Sequence, residues 1–95
     1  MLFMVTAFDK PGALEARVQL RSEQIAYIQS HGARIKMGGA MCNDDNKPLG
    51  CLLVVEADDR EAVETLLDDA PYGRAGLFER VDVRPWQPVL GDWLD

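Results

Sequence analysis

An α+β fold, a four-stranded antiparallel sheet with two helices on one face, is what this sequence predicts. Three observations lead there. Four apolar stretches have the length of strands, two longer stretches place apolar residues at helical spacing, and the elements alternate as β-α-β-β-α-β. The 95 residues are expected to form one domain, 1–95, which on its own buries only a modest share of its surface.

Taken in order, Leu2 to Phe8 is a short apolar run that reads as a buried strand. Asp9-Lys10-Pro11-Gly12 ends it, and Asp9 is a residue type that caps helices. A helix is expected from about Ala13 to Ser30, closed by His31-Gly32. Ala33 to Met41 alternates, with Ala33, Ile35, Met37, Gly39 and Met41 expected on one face. The turn formers from Cys42 to Pro48 join it to Gly50–Ala57, a nearly continuous apolar strand. Asp58, with Glu61 three residues on, resembles a capping box opening a second helix, whose inward stripe is Ala62, Val63, Leu66 and Leu67. That helix is expected to stop before Pro71. Leu77 to Trp86 is the last strand, with Leu77, Val81 and Val83 on one side, and the tail to Asp95 holds an exposed Trp93. With right-handed crossovers this βαββαβ unit closes into a ferredoxin-like fold.

Such a sheet has one bare face, and the middle strands carry apolar residues toward both sides. Leaving that face in water is costly. Pairing two sheets face to face, at roughly 800 Å² per partner, is the simplest remedy, so a homodimer is expected. The tail is short for covering the face within one chain.

Charge excludes several partners. The net charge is −6, and an acidic surface repels phosphate backbones and anionic lipid, so neither nucleic acid nor a membrane is expected. No basic segment precedes the opening apolar run, which therefore reads as a strand rather than a leader. A cytoplasmic setting would keep Cys42 and Cys51 as thiols, although a hairpin would also allow them to approach. One histidine and two separated cysteines match no zinc spacing, and no phosphate-loop or dinucleotide fingerprint is present, so no metal and no cofactor are expected.

The first helix carries the most informative pattern. Leu14, Val18, Ile25 and Ile28 form one apolar sector, and Leu20, Tyr27 and His31 a second. Between them, at i, i+4 and i+7, stand Arg17, Arg21 and Gln24. Arginine is seldom buried without a partner. Either this column overlooks a cleft that holds an anionic or hydrogen-bonding ligand, or the arginines snorkel and pair with some of the sixteen acidic residues. Gly38-Gly39 permits close approach of a backbone or ligand, and Pro71, Tyr72 and Phe78 would wall an apolar pocket or simply pack. His31 beside Gly32 is placed to bond the last carbonyls of the helix.

Several stretches resemble one family, the YciI-like proteins: Asp9-Lys10-Pro11-Gly12-Ala13-Leu14-Glu15-x-Arg17, Arg21-x-x-Gln24-Ile25-Ala26-Tyr27-Ile28, Gly38-Gly39-Ala40 with Asp44-Asp45 and Gly50, Pro71-Tyr72-x-x-Ala75-Gly76-Leu77-Phe78, and Val83-Arg84-Pro85-Trp86. The resemblance implies a dimeric α+β barrel. It also implies a cleft in which the family holds a His–Asp pair, some relatives being dehydrochlorinases of hydroxylated aromatic rings. At those two positions this chain has Gln24 and Ala70. Glutamine donates and accepts hydrogen bonds but does not exchange a proton near neutral pH, and alanine does neither. Asp69 lies one residue away, where a shift points a side chain elsewhere. The expected ligand-binding residues are Arg17, Arg21, Gln24, Gly39, Pro71 and Tyr72, with no catalytic residue assigned. Three functions stand: a binding protein for a small anionic or aromatic molecule, an enzyme acting on an aromatic or lactone-like metabolite through other groups (His31, Asp69 or Tyr72), or a non-catalytic partner-binding subunit.

Overall fold

A computed structural model describes residues 1–92, so Trp93 lies outside the described residues. The elements are β1 (Leu2–Asp9), α1 (Leu14–Gln29), a 3-10 turn (Gly32–Arg34), β2 (Ile35–Cys42), β3 (Pro48–Glu56), α2 (Arg60–Asp69), α3 (Pro71–Arg74) and β4 (Phe78–Pro85). The strands pair antiparallel in the order β2-β3-β1-β4, so β2 and β4 are the edges. This is the ferredoxin-like α+β fold that the order of elements predicts.

The pleat decides which residues meet the helices. Phe3, Val5 and Ala7 of β1 are buried and lie opposite Val55, Leu53 and Cys51 of β3. With Val63, Leu66 and Leu67 of α2 and Val83 of β4, the larger of them form the core, against which Tyr27, Ile28 and Ile35 pack. Each such side chain contributes about 1.5–3 kcal/mol on burial. That exceeds the worth of any single cap or surface pair, so apolar patterning fixes the layers and capping only trims their ends.

Where the local detail departs from expectation, the cause is visible. The strand expected from Ala33 begins at Ile35, because Gly32–Arg34 closes a 3-10 turn first. The register shifts between Ile35 and Met37. Ile35 therefore faces the core, while Met37, Gly39 and Met41 lie opposite Val54, Leu52 and Gly50 on the bare face, rather than sharing one face with Ile35. Asp9 does not cap α1. Its N-cap is Ala13, with no side-chain bond, and the Asp9 carboxylate is engaged by Arg17 instead. In α2 the cap is Asp59 rather than Asp58: its Oδ1 accepts from the Ala62 N–H at 2.9 Å, so no capping box with Glu61 forms. Pro71 both ends α2 and starts α3, where its missing N–H costs nothing. The apolar sector expected to face inward from α1 is mostly outside: Val18 is 62% exposed, whereas Arg17 and Gln24 are buried.

Substituting Asp59→Ala should lower stability by about 1 kcal/mol through loss of this cap. Asp58→Ala should change it by less than about 0.5 kcal/mol. Urea denaturation of the two variants compares them directly.

Candidate functional site

The inward side of α1 is polar because two acceptors wait beneath it. Asp9 ends β1, and the Gly50 carbonyl points out of β3. Arg17 Nη1 donates to Asp9 Oδ1 and Oδ2 at 3.0 and 3.1 Å, and Nη2 donates to the Gly50 carbonyl at 3.0 Å. The side chains of the pair are only 7% and 6% exposed. Tyr72 closes the arrangement from α3. The Arg17 guanidinium lies 4.9 Å from its ring centroid, and the Tyr72 hydroxyl donates to the Arg17 carbonyl at 3.4 Å. Phe78 meets the same ring edge-on at 6.1 Å. Gly50 must be glycine here, since a Cβ would run into the Ala7 carbonyl oxygen.

Gln24, two turns further along α1, is buried as well. Its Oε1 accepts the Tyr72 N–H at 2.9 Å. An N–H partner fixes the carboxamide orientation, so Nε2 faces away from Tyr72 with both of its protons. The structure shows no protein acceptor for them, and no fully buried polar atom among the described residues lacks a partner; Nε2 therefore reaches solvent. Ala70, 1% exposed, stands two residues before Tyr72, so positions 24 and 70 converge on one corner of the fold.

Beside that corner, between α1 and α3, opens a groove of about 730 Å³ lined by Leu20, Glu23, Tyr27, Asp69, Pro71 and Arg74, with Ala75 at its end. Its walls are part apolar and its rim carries both signs of charge. Burial and the nearby Asp69 push the Tyr27 phenol above its ordinary range, with Arg74 opposing, and its hydroxyl donates to the Leu66 carbonyl at 2.8 Å.

Of the six expected ligand residues, Arg17, Gln24 and Tyr72 are brought together and Pro71 joins the groove. Arg21 faces solvent. Gly39 lies opposite Leu52, on the face of the sheet away from the helices. For Arg17, pairing with an acidic side chain is what the structure shows. His31 Nδ1 lies 3.0 Å from the Tyr27 carbonyl, the backbone role expected of it. Cys42 and Cys51 are free, and burial raises the Cys51 thiol pKa, with Arg17 partly offsetting. Asp9, Gly50 and Arg74 went unforeseen. Asp9 lies outside the helix and eight positions from its partner, and a carbonyl acceptor leaves no mark on a sequence. Among the described residues no three His, Cys, Asp or Glu side chains cluster as a metal site.

Burial pushes the Asp9 carboxyl above its usual range, and Arg17 offsets this only in part. The folded chain then holds that proton more tightly than the unfolded chain. The associated stability is complete below the ordinary carboxylate range and is lost as pH rises through the raised value. Arg17→Met, which strips the carboxylate of its counter-charge, should cost about 3–5 kcal/mol near neutral pH. The deficit should shrink in acid, where Asp9 is protonated, as read by denaturation across about pH 3 to 7.

Residues 1–87 match the YCII-related domain. Protein YciI of Escherichia coli is 31% identical over 98 aligned residues, which take in 95% of this chain and all of that protein. An uncharacterized protein of Haemophilus influenzae is 24% identical with the same coverage. Among solved structures, the 5-chloro-2-hydroxyhydroquinone dehydrochlorinase of Burkholderia phenoliruptrix, in complex with 2,5-dihydroxybenzoquinone, superposes with a TM-score of 0.84 at 30% identity, covering 92% of this chain and 94% of that one. With the fold, the order of motifs and the family match in agreement over nearly its whole length, the chain belongs to the YCII-related family.

Proposed function

We propose that this chain binds a small anionic or hydroxylated aromatic molecule at the corner formed by Gln24, Pro71 and Tyr72, without the acid–base pair of its relatives. The observation that carries this reading is the Gln24 carboxamide. Its oxygen is held by the Tyr72 N–H, which leaves two N–H donors, pre-oriented and unclaimed, at a surface crevice. Donors fixed in this way suit the oxygens of a phenolate, quinone or carboxylate, and they pay little ordering entropy on binding. The quinone in the complex of the dehydrochlorinase is of that chemical class. The groove beside the corner adds the apolar walls of Leu20 and Pro71 and the cation of Arg74. Arg17 contributes as the support that seats Tyr72, and Arg21 by its positive charge at the helix surface. Gly39 would belong to the site only through a second copy, since it faces the other way.

The bare sheet face favours such a second copy. Met4, Leu52, Met37 and Met41 lie on it at least partly exposed, and paired faces would remove them from water, giving the homodimeric α+β barrel. Free thiols at both cysteines suit a reducing cytoplasm. An enzymatic reading has one observation in its favour, the dehydrochlorinase neighbour. It requires a proton-transfer group that neither Gln24 nor Ala70 supplies.

Calorimetric titration with 2,5-dihydroxybenzoquinone should show saturable binding. Gln24→Glu keeps an acceptor for the Tyr72 N–H but removes the donors, and it should weaken binding at least about tenfold, the worth of one hydrogen bond. Absence of binding to the unmodified chain, or a variant that binds equally well, would refute the proposed corner. Incubation with a chlorinated hydroxyhydroquinone should release no chloride; steady release would replace the binding reading with the enzymatic one. The double variant Gln24→His with Ala70→Asp should introduce a pH dependence of binding near neutrality that the parent lacks.

A further inference from the structure

The outer edge of β4 is an open docking rail. The Trp86 N–H donates to the Leu2 carbonyl. Counting back from that bonded pair, antiparallel alternation directs the backbone of Arg84, Asp82 and Arg80 toward β1 and turns the N–H and C=O of Val81 and Val83 outward. These groups have no backbone partner. They border a cavity of about 430 Å³ between β4 and α2, whose apolar lining is Leu67, Phe78, Val81 and Val83. Val81 is 40% exposed there. Unpaired strand backbone beside an apolar trough is what an added strand requires.

The same chain carries a segment that fits. After Trp86 it runs Gln87-Pro88-Val89-Leu90-Gly91-Asp92. Val89 and Leu90 are 84% and 85% exposed, two adjacent apolar side chains left in water. Trp86, held at the start of β1, sends this tail off the Pro85 end of its own β4, away from its own trough. We propose that the tail of a second copy lies along β4 as an added strand, with Val89 in the trough against Val81 and Val83 and Leu90, the next residue, on the opposite face of the sheet. Charge sets its direction. Residues 70–77 join α2 to β4 at the Phe78 end, so Arg60 and Arg84 mark the far end. Neither arginine is in an ion pair among the described residues. A tail running parallel to β4 brings Asp92 to these two cations, whereas the reverse direction would lay it against Asp68. Exchange of tails between two copies is isologous and closes on itself.

Two measurements test this. In a Cys42→Ser, Cys51→Ala background, Val81→Cys in one chain and Val89→Cys in another are mixed under oxidant. A disulfide-linked species containing one chain of each kind is expected. No cross-link, or a bond that forms only within a chain carrying both substitutions, overturns the proposal. In the unmodified chain, hydrogen exchange at the Val81 and Val83 amides should slow at least about tenfold as concentration rises into the range where the chain associates. Pairing through the bare sheet faces alone leaves these edge amides exchanging freely. Unchanged exchange therefore overturns the tail proposal even where sedimentation shows a dimer, and protection without quinone binding leaves the tail standing while the ligand reading falls.

Discussion

A guanidinium fastened beneath a helix holds this small fold in its working shape. Arg17 reaches from α1 to the end of β1 through Asp9 and to the first part of β3 through the Gly50 carbonyl, and Tyr72 lies over it from α3. Removing two charges from water is expensive, several kcal/mol for each ion, and the attraction between them repays it only when geometry and the remaining hydrogen bonds are good. Here the arginine meets two acceptors and an aromatic face. What the arrangement secures is position. It sets the rotation of α1 about its own axis, seats Tyr72, and through Tyr72 fixes the carboxamide of Gln24.

That rotation has a counterpart on the outside of the helix. With Arg17 and Gln24 turned inward, Leu14, Val18 and Ile25 are turned out. Among the described residues the fold thus leaves apolar surface on the outer side of α1, on the sheet face away from the helices, in the trough beside β4 and on the tail at Val89 and Leu90. A chain of this size has too little interior to hide all its apolar residues, and association would relieve that shortage. The sheet face suits a matching flat surface, whereas the trough suits an extended segment.

Layer order and most of the core were legible in the sequence because they rest on periodicity, and strands β1 and β3 and the inward stripe of α2 follow it. The family resemblance also came from residue order alone. Periodicity failed on α1, where a stripe of Leu14, Val18 and Ile25 suggested an inward face and a long-range ion pair chose another. It failed again on β2, where one register shift moved Met37 to the opposite side from Ile35. Both failures share a cause. A partner 33 positions away, such as the Gly50 carbonyl for Arg17, and a bulge that depends on the neighbouring strand are tertiary facts with no local signature. In the candidate site, residue types at positions 17, 24 and 72 were legible, but the division of labour among them was not. Arg17 supports, Tyr72 transmits, and Gln24 is left with donors to spare.

Gly50 shows where such a design is most vulnerable. It has no side chain to contribute, yet its bare Cα lets β1 pass close by, and its carbonyl anchors a helix through a residue 33 positions away. Even one added methyl would wedge the two central strands apart and withdraw the anchor together. Damage from that change would surface as a twisted α1 and an unseated Tyr72, far from the altered strand, so mutational tolerance in this protein is governed by leverage rather than by side-chain size.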